Sequence, residues 1–352
     1  MPGRSATTLL AKLIDLPARE VEEALALVTG GEAYDRFEIP KVGTRAPRVI
    51  QAPVERLKRV QRALIGLLEP LALHSAVHGF RRGRSIVTGA EKHLQARAIL
   101  NIDLKDFFHS VDRDRVRRAL QRSLLPRLVE ETGELTKAEG DAVVALVTEL
   151  TTYAVPGRDL PVLPQGAPTS PFLANLAARK LDQEISELLA GLPGELVYTR
   201  YADDLTISAP HEIDRRLIGE IIKRVQRAGF AANPQKVRLA STLKGSPHYR
   251  QKLEVTGLVI DPRDKVLRIP RDRLELYRLK IHQAAHLREL DPGTRQEIEG
   301  FVSFAFMVYR TLPPSLATAY ERFTAAHRLA PLQAGKSRRA ARRRATQKEL
   351  YP

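Results

Sequence analysis

Two adjacent aspartates in the middle of a short apolar stretch are the residues best suited to do chemistry in this chain. Residues 197–208 read V-Y-T-R-Y-A-D-D-L-T-I-S. Two β-branched and aromatic runs around a polar centre are the pattern of a strand–turn–strand hairpin. Asp203 and Asp204 are expected at the bend, where their carboxylates gather negative charge at one rigid point. That point suits a hard divalent cation, although an Asp-Asp pair is also ordinary turn chemistry. The metal reading needs another carboxylate from elsewhere. Asp103 is the candidate, near the end of the apolar run A-I-L-N-I-D-L at residues 98–104. A carboxylate in apolar surroundings is costly unless it is paired or coordinates a metal. Carboxylates from separate strands can bracket two ions roughly 3.5–4 Å apart, which activate a hydroxyl and stabilise a leaving pyrophosphate.

The elements that must position these groups follow from hydrophobic spacing. A helical lead-in over residues 5–29 ends at Gly30-Gly31. Residues 34–53 fit two short strands with a turn between them, and Lys41, Arg45 and Arg48 project from the ribbon. Those cations can hold a triphosphate or simply decorate a basic edge strand. An amphipathic helix covers residues 54–73. Residues 78–93 pack three arginines and three glycines into a loop that binds phosphate or is merely a basic surface; no G-K-[ST] occurs within it. A helix at 112–125 has Asp112 as its N-cap, and helical residues run on to about 152. The loop at 160–176, L-P-V-L-P-Q-G-A-P-T-S-P-F-L-A-N-L, feeds a helix reaching residue 188. It can lie against a base or a phosphate, or serve as a Pro-rich connector. A helix at 212–228, a turn and strand at 229–239 bearing Lys236, and a strand at 254–260 containing Gly257 come next. Helices are expected at 271–290, 294–311 and 314–329. His282 and His286 lie four apart, but without an acidic neighbour they read as helix-surface residues. The basic run at 336–345 is a solvated end or a phosphate-binding arm.

Composition bounds the partners. A chain of 352 residues buries a sizeable core in two or three lobes. With 43% hydrophobic and 28% charged residues it is globular rather than disordered. A formal net charge of +16 points to a polyanion, above all nucleic acid. An acidic membrane surface would also attract it, but no amphipathic anchor or long apolar run stands out. The absence of cysteine excludes disulfides, thiolate zinc sites and a cysteine nucleophile. No signal-peptide core is visible near the N-terminus, so a cytoplasmic protein is expected.

Five segments then occur in a telling order: N-I-D-L-K-D-F-F-H-S-V at 101–111, L-P-Q-G-A-P-T-S-P at 163–171, Y-A-D-D at 201–204, G-F-A-A-N-P-Q-K at 229–236 and V-T-G at 255–257. Together they resemble the reverse transcriptases, over about residues 34–308. The resemblance implies an α+β right-hand polymerase with fingers, an antiparallel palm sheet and a helical thumb. Its parts would be a helical extension at 1–30, fingers at 31–98, the first catalytic palm strand at 99–112 and a helical insertion at 113–160. The main palm would be 161–260, the thumb 261–330 and a basic tail 331–352. The resemblance further implies that Asp103 and Asp203 hold two Mg²⁺ ions, with Mn²⁺ as the substitute. Asp204 would assist, and the Leu104 carbonyl would serve one ion. Phe108 would be the gate against a ribose 2′-OH, so the product is DNA. Gln165 and Gly166 would contact the incoming dNTP and the template. Lys41 and Arg48 would hold the triphosphate, and Lys236 would act as general acid to pyrophosphate.

Compact length, P-Q-G-A-P-T-S-P and Val255-Thr256-Gly257 resemble the bacterial retron enzymes within that family. That implies a structured non-coding RNA as template and primer, an RNA-linked DNA product (msDNA), and anti-phage defence alongside an effector protein. RNA-binding residues would be Val255, Thr256 and Gly257, joined by Arg338, Arg339, Arg342, Arg343 and Arg344 of the tail. One departure stands before the first motif: Gly89 occupies the place where retrons favour Asn, while Ala90 and His93 are kept. A group II intron-like or CRISPR-associated reverse transcriptase is the neighbouring alternative. The tail of about twenty residues after the thumb is too short for a further folded domain, so template removal would fall to a host RNase H. A non-catalytic RNA-binding defence scaffold is the alternative from another class.

Overall fold

Hydrophobic spacing decides where the helices form, and the computed structural model, which describes residues 5–40, 47–131, 133, 135–249 and 251–332, follows it closely. The lead-in divides into α1 (Ala6–Leu13) and α2 (Ala18–Gly30). Asp15 turns left-handed between them at φ 52°, and Pro17 lacks the N–H that would continue α1. Gly31 stops α2 in the left-handed conformation, as glycine does most readily. β1 (Tyr34–Ile39) and β2 (Arg48–Pro53) pair antiparallel as a ribbon. α3 (Glu55–Leu68) buries Leu57, Val60, Leu64 and Leu68 completely along one stripe. The short α4 (Ile86–Ala90) precedes the strand β3 (Ala98–Asp103). α5 (Arg113–Ser123) is N-capped by the Asp112 carboxylate, and α6 (Lys137–Thr151) follows.

The helix expected up to residue 188 is two helices, α7 (Ser170–Ala177) and α8 (Arg179–Ala190), interrupted at Ala178. β4 (Val197–Tyr201) and β5 (Asp204–Ala209) make the expected hairpin. After α9 (Arg215–Arg227) comes a 3₁₀ turn, Pro234–Lys236, and then β6 (Arg238–Ser241). The single strand expected at 254–260 is instead a hairpin of β7 (Glu254–Val255) and β8 (Leu258–Asp261). Thr256 (φ 47°) and Gly257 (φ 79°) form its two-residue turn, so Gly257 is turn chemistry, not a strand residue. β9 (Val266–Arg268) completes that sheet, and α10 (Arg271–Ala284), α11 (Pro292–Tyr309) and α12 (Pro314–Ala326) close the described chain. His282 and His286 stack on each other at the end of α10. Among the described residues no helix is long and apolar enough to cross a membrane.

The fold is α+β, and its central sheet has the order β4-β5-β3-β6 with every pair antiparallel. As an inner strand, β3 is apolar along one face and turns polar toward its end on the other. Ala98, Leu100 and Ile102 enter one core with the helices α1, α3 and α5 to α9. Ile99 points the other way, into a second core built from β7 to β9 and α10 to α12. Asn101 stitches the two together: its Nδ2 donates to the Glu254 carbonyl (3.0 Å) and its Oδ1 accepts from the Thr206 hydroxyl (3.0 Å). His93 is buried beside the sheet, its ring nitrogens 2.7 Å from the hydroxyls of Thr199 and Ser208. Burial pushes it down to about 3, so it is neutral there.

Beneath the β4–β5 hairpin lies an ion pair with both side chains 0% exposed. The Arg200 guanidinium donates to both Asp182 carboxylate oxygens at 2.7 Å, and Tyr198 donates to the same carboxylate at 2.8 Å. Its remaining nitrogen donates to Asn175 Oδ1 (2.9 Å) and to the Ala202 carbonyl (3.0 Å) at the hairpin tip. Burial works against the Arg200 charge, but Asp182 outweighs it and holds the group above its ordinary value. Removing one partner strands the other in the core. Asp182→Ala is therefore expected to lower the free energy of urea unfolding by about 3–5 kcal/mol.

Candidate active site

The hairpin turn is shorter than the sequence suggests. Tyr201 pairs with Asp204, so only Ala202 and Asp203 lie in the loop, and Asp204 is the first residue of β5. Ala202 sits at φ 55°, a conformation unfavourable for a residue with a Cβ. Two contacts hold it. Arg200 binds its carbonyl, and Gly79 packs so closely that a Cβ there would stand 2.7 Å from the Ala202 nitrogen. Asn175 in turn donates to the Gly79 carbonyl at 3.0 Å. The acidic tip is thereby propped from beneath by buried polar groups.

Register brings the carboxylates together. Asp103 is the direct cross-strand partner of Asp204, and the Leu104 N–H donates to the Asp203 carbonyl at 2.9 Å. Like charges placed directly opposite each other repel. Desolvation first, then the charges of Asp203 and Asp103, push Asp204 up to about 6. Asp203 is raised by its burial and by Asp103, against the opposing charges of Lys236 and Arg48. Lys236 answers part of that charge. Its Nζ donates to Asp103 Oδ2 at 2.7 Å, and the contact raises the lysine above its ordinary value. The Asn233 N–H donates to the Asp103 carbonyl and the Lys105 N–H to the Ala231 carbonyl, which lays the Lys236 turn alongside β3.

This donor set suits a hard divalent cation: three carboxylates from two neighbouring strand ends, carrying more negative charge than one lysine neutralises. The Leu104 carbonyl accepts no hydrogen bond among the described residues, which leaves an oxygen beside them. Among the described residues no three acidic, histidine or cysteine groups form a ready-made metal cluster, and Lys236 is seated on Asp103. Any ion must therefore compete with that lysine, whose side chain is 44% exposed.

Other residues singled out in the sequence gather round this point. Arg48, exposed on β2 opposite Ile39, acts on the Asp203 carboxyl through its charge. Phe108 is half-buried against Phe107, and Phe80 stands beside both Phe108 (6.4 Å between centroids) and Tyr201 (6.1 Å). Gly166 needs to be glycine: its φ is 129°, and a Cβ would lie 2.9 Å from Ile50 Cγ2 and 3.1 Å from the Gln51 carbonyl. The Gln165 main chain is bonded to Gln51. Val255, by contrast, is buried in the second core, with Thr256 and Gly257 at the turn beyond it. Lys41, Arg45 and the arginines 338, 339, 342, 343 and 344 lie outside the described residues. In the basic loop, two of the three arginines are used internally. Arg81 donates to the His74 carbonyl (3.0 Å) and Arg84 to His78 Nε2 (3.2 Å), while Arg82 stays exposed.

Sequence reasoning missed Gly79, Phe80, Gln51 and the Asp182–Arg200 pair. Only Arg200 carried a signal, a cation inside an otherwise apolar strand, which demands a buried partner. Phe80 is 38% exposed at φ 52°, an exposed aromatic in a strained backbone at the rim of the site.

Comparisons with known proteins identify the relatives of this chain. The family model described as reverse transcriptase (RNA-dependent DNA polymerase) matches residues 39–260. The Retron Mx162 reverse transcriptase of Myxococcus xanthus is 36% identical over 301 residues, covering 78% of this chain and 57% of that protein. The Retron Mx65 enzyme of the same organism is 33% identical, covering 78% and 61%. The Retron Ec86 reverse transcriptase of Escherichia coli is 32% identical over 292 residues, covering 81% of this chain and 79% of its own length. The chain thus spans less than two thirds of the two Myxococcus relatives.

The close approach at the tip can be tested by comparing two glycines. Gly79→Ala is expected to lower stability by about 1–3 kcal/mol through overpacking. Gly66→Ala, inside α3 with nothing within 4 Å of its Cβ, should raise it by up to about 1 kcal/mol. Thermal or urea unfolding of the two variants reads both.

Proposed function

This chain belongs to the retron-type reverse transcriptases, and we propose on that premise that it is an RNA-directed DNA polymerase copying a structured non-coding RNA into RNA-linked DNA. The observation that carries the proposal is the pairing of Asp103 with Asp204 across β3 and β5, with Asp203 in the adjoining turn. Asp103, Asp203, Asp204 and the Leu104 carbonyl would hold two Mg²⁺ ions, with Mn²⁺ as the substitute. Bound there, such ions would supply Lewis-acid stabilisation to the attacking hydroxyl and the leaving pyrophosphate.

The chain's own groups do the rest. Arg48 offers a guanidinium to the triphosphate from the β2 side. Phe108 presents an aromatic wall where a 2′-OH would otherwise fit, and Phe80 backs that wall. Gln165 and Gly166 form the floor under the nucleotide and template. Lys236, released from Asp103, is a proton donor of suitable reach for the leaving pyrophosphate. In this assignment the ribbon β1–β2 and the helices of 113–160 are fingers, the central sheet is the palm, and α10 to α12 are the thumb of a right-hand polymerase. Here α10 to α12 pack with β7 to β9 in a second core that also takes Val87 and Ala90 of α4, Ile99 of β3 and Ala240 of β6.

The formal charge of +16 fits a chain that grips nucleic acid through phosphates, with binding that weakens as salt rises. We further assign it an RNA template that also primes, dNTPs, a cytoplasmic setting, a defence effector as partner and a host RNase H for template trimming. The resemblance to retron enzymes is what supports these.

Primer extension on an RNA template with Mg²⁺ and dNTPs tests the core of the proposal. Asp203→Asn should lower incorporation at least about 10²-fold by removing a charge that acts in the transition state; equal rates for variant and wild type would sink the polymerase reading. In the same assay, Phe108→Ala should admit ribonucleotides, and unchanged discrimination would remove Phe108 from the gate. Mn²⁺ binding followed by electron paramagnetic resonance should weaken at least about tenfold in Asp203→Asn, since affinity follows ligand charge.

A further inference from the structure

Among the described residues of the β1–β2 ribbon, Gln51 is the one polar side chain that turns fully inward. It is 3% exposed, although most of the ribbon faces solvent. Its backbone N–H donates to the Gln165 carbonyl at 2.8 Å, and its Oε1 accepts from the Gln165 N–H at 2.8 Å. The same Oε1 lies 3.2 Å from His109 Nε2. A backbone N–H can only donate, so the amide oxygen, not the nitrogen, faces Gln165. His109 must then donate from Nε2, which fixes its tautomer. Burial and the charge of Arg158, opposed by Asp106, hold His109 below its ordinary value, in keeping with a neutral ring.

Three separate segments meet at this one amide. β2 carries Arg48, residues 104–111 carry Phe108 next to His109, and the third is the Gln165–Gly166 loop. Gly166 packs on the same strand with no room for a Cβ, its nearest neighbours being Ile50 and the Gln51 carbonyl. Each segment bears a residue assigned above to the incoming nucleotide, while Gln51 itself faces away from solvent.

We propose that Gln51 is a positioning residue for the nucleotide pocket: its side-chain amide, bonded to Gln165 and His109, sets the spacing between the triphosphate strand, the sugar gate and the loop beneath the base. The inference rests on the polymerase reading above. Loss of the acceptor leaves two donors without a partner at once, and such unmade bonds are expensive. The gate and the loop then move relative to each other. The effect should fall on nucleotide affinity and on sugar discrimination more than on the chemical step.

The test is single-nucleotide primer extension by the full chain on an RNA template, comparing Gln51→Met, which has similar length but no strong acceptor, with Gln51→Glu, which keeps acceptor oxygens. Gln51→Met is expected to raise KM for the dNTP about tenfold with a smaller effect on kcat, and to reduce preference over the matching rNTP about tenfold, the size of one unmade buried bond. Gln51→Glu should recover most of both. Circular dichroism and template affinity report whether the variant is folded. Should Gln51→Met fail to fold, His109→Leu removes a single bond and should still lower sugar discrimination by about threefold. Wild-type KM and discrimination in the folded variant would overturn the proposal, as would a Gln51→Glu no better than Gln51→Met. A wild-type chain that incorporates no nucleotide would overturn the polymerase reading and this inference with it, an outcome distinct from normal extension that is indifferent to Gln51.

Discussion

The acidic tip of the central sheet stands on a fully buried ion pair. Taking Arg200 and Asp182 out of water costs several kcal/mol per ion, by order of magnitude, unless geometry and further hydrogen bonds compensate. Here the bidentate pair is completed by Tyr198 and Asn175, and the last guanidinium nitrogen reaches the Ala202 carbonyl. That bond matters because Ala202 occupies a left-handed conformation that the hairpin alone would not favour. The direction in which Asp203 leaves the turn therefore depends on charges that never see solvent. A hydrophobic replacement of the pair would fill the same space but offer nothing to the turn. Its evident contribution is conformational specificity at one point of the chain.

From that point the arrangement spreads by close contact. Asn175 bonds the ion pair on one side and the Gly79 carbonyl on the other. Gly79 has no side chain to hold the hairpin away, and the next residue, Phe80, is thereby set between Tyr201 and Phe108. A stretch that reads in sequence as a basic loop is thus the backing of the site. Two of its arginines are committed to His74 and His78, and Arg84 and Lys92, after burial itself, help push His78 down to about 4.

Electrostatics explains why such a site coexists with an overall positive chain. Three carboxylates converge where sheet register forces two of them face to face. Lys236 supplies one tethered cation, and Arg48 supplies another at longer range. Because the Lys236 side chain is nearly half exposed, it can leave Asp103 without opening the core. The site thus has a partly compensated resting arrangement that leaves negative charge suited to a divalent ion. The surrounding excess of cations is free to draw in a polyanion.

Much of this was legible in the sequence because it is local. Periodicity located α3, β3 and the β4–β5 hairpin, and the order of short motifs joined Asp103, Asp203, Asp204, Phe108, Gln165 and Lys236 into one family pattern. Where local signals were weak, the reading slipped. The strand through Gly257 is two strands around a turn, and the helix to residue 188 breaks at Ala178. What no linear reading supplied were contacts between residues far apart in the chain: Asp182 with Arg200, Gly79 with Ala202, Gln51 with Gln165 and His109. A buried glutamine or aspartate looks in sequence like any surface one, because its cost and its partner exist only once the chain has excluded water around it. Residue type and spacing determined which chemistry this protein is equipped for. Only tertiary packing, by desolvating charges and forbidding a Cβ where two backbones meet, decided how the groups suited to it are held.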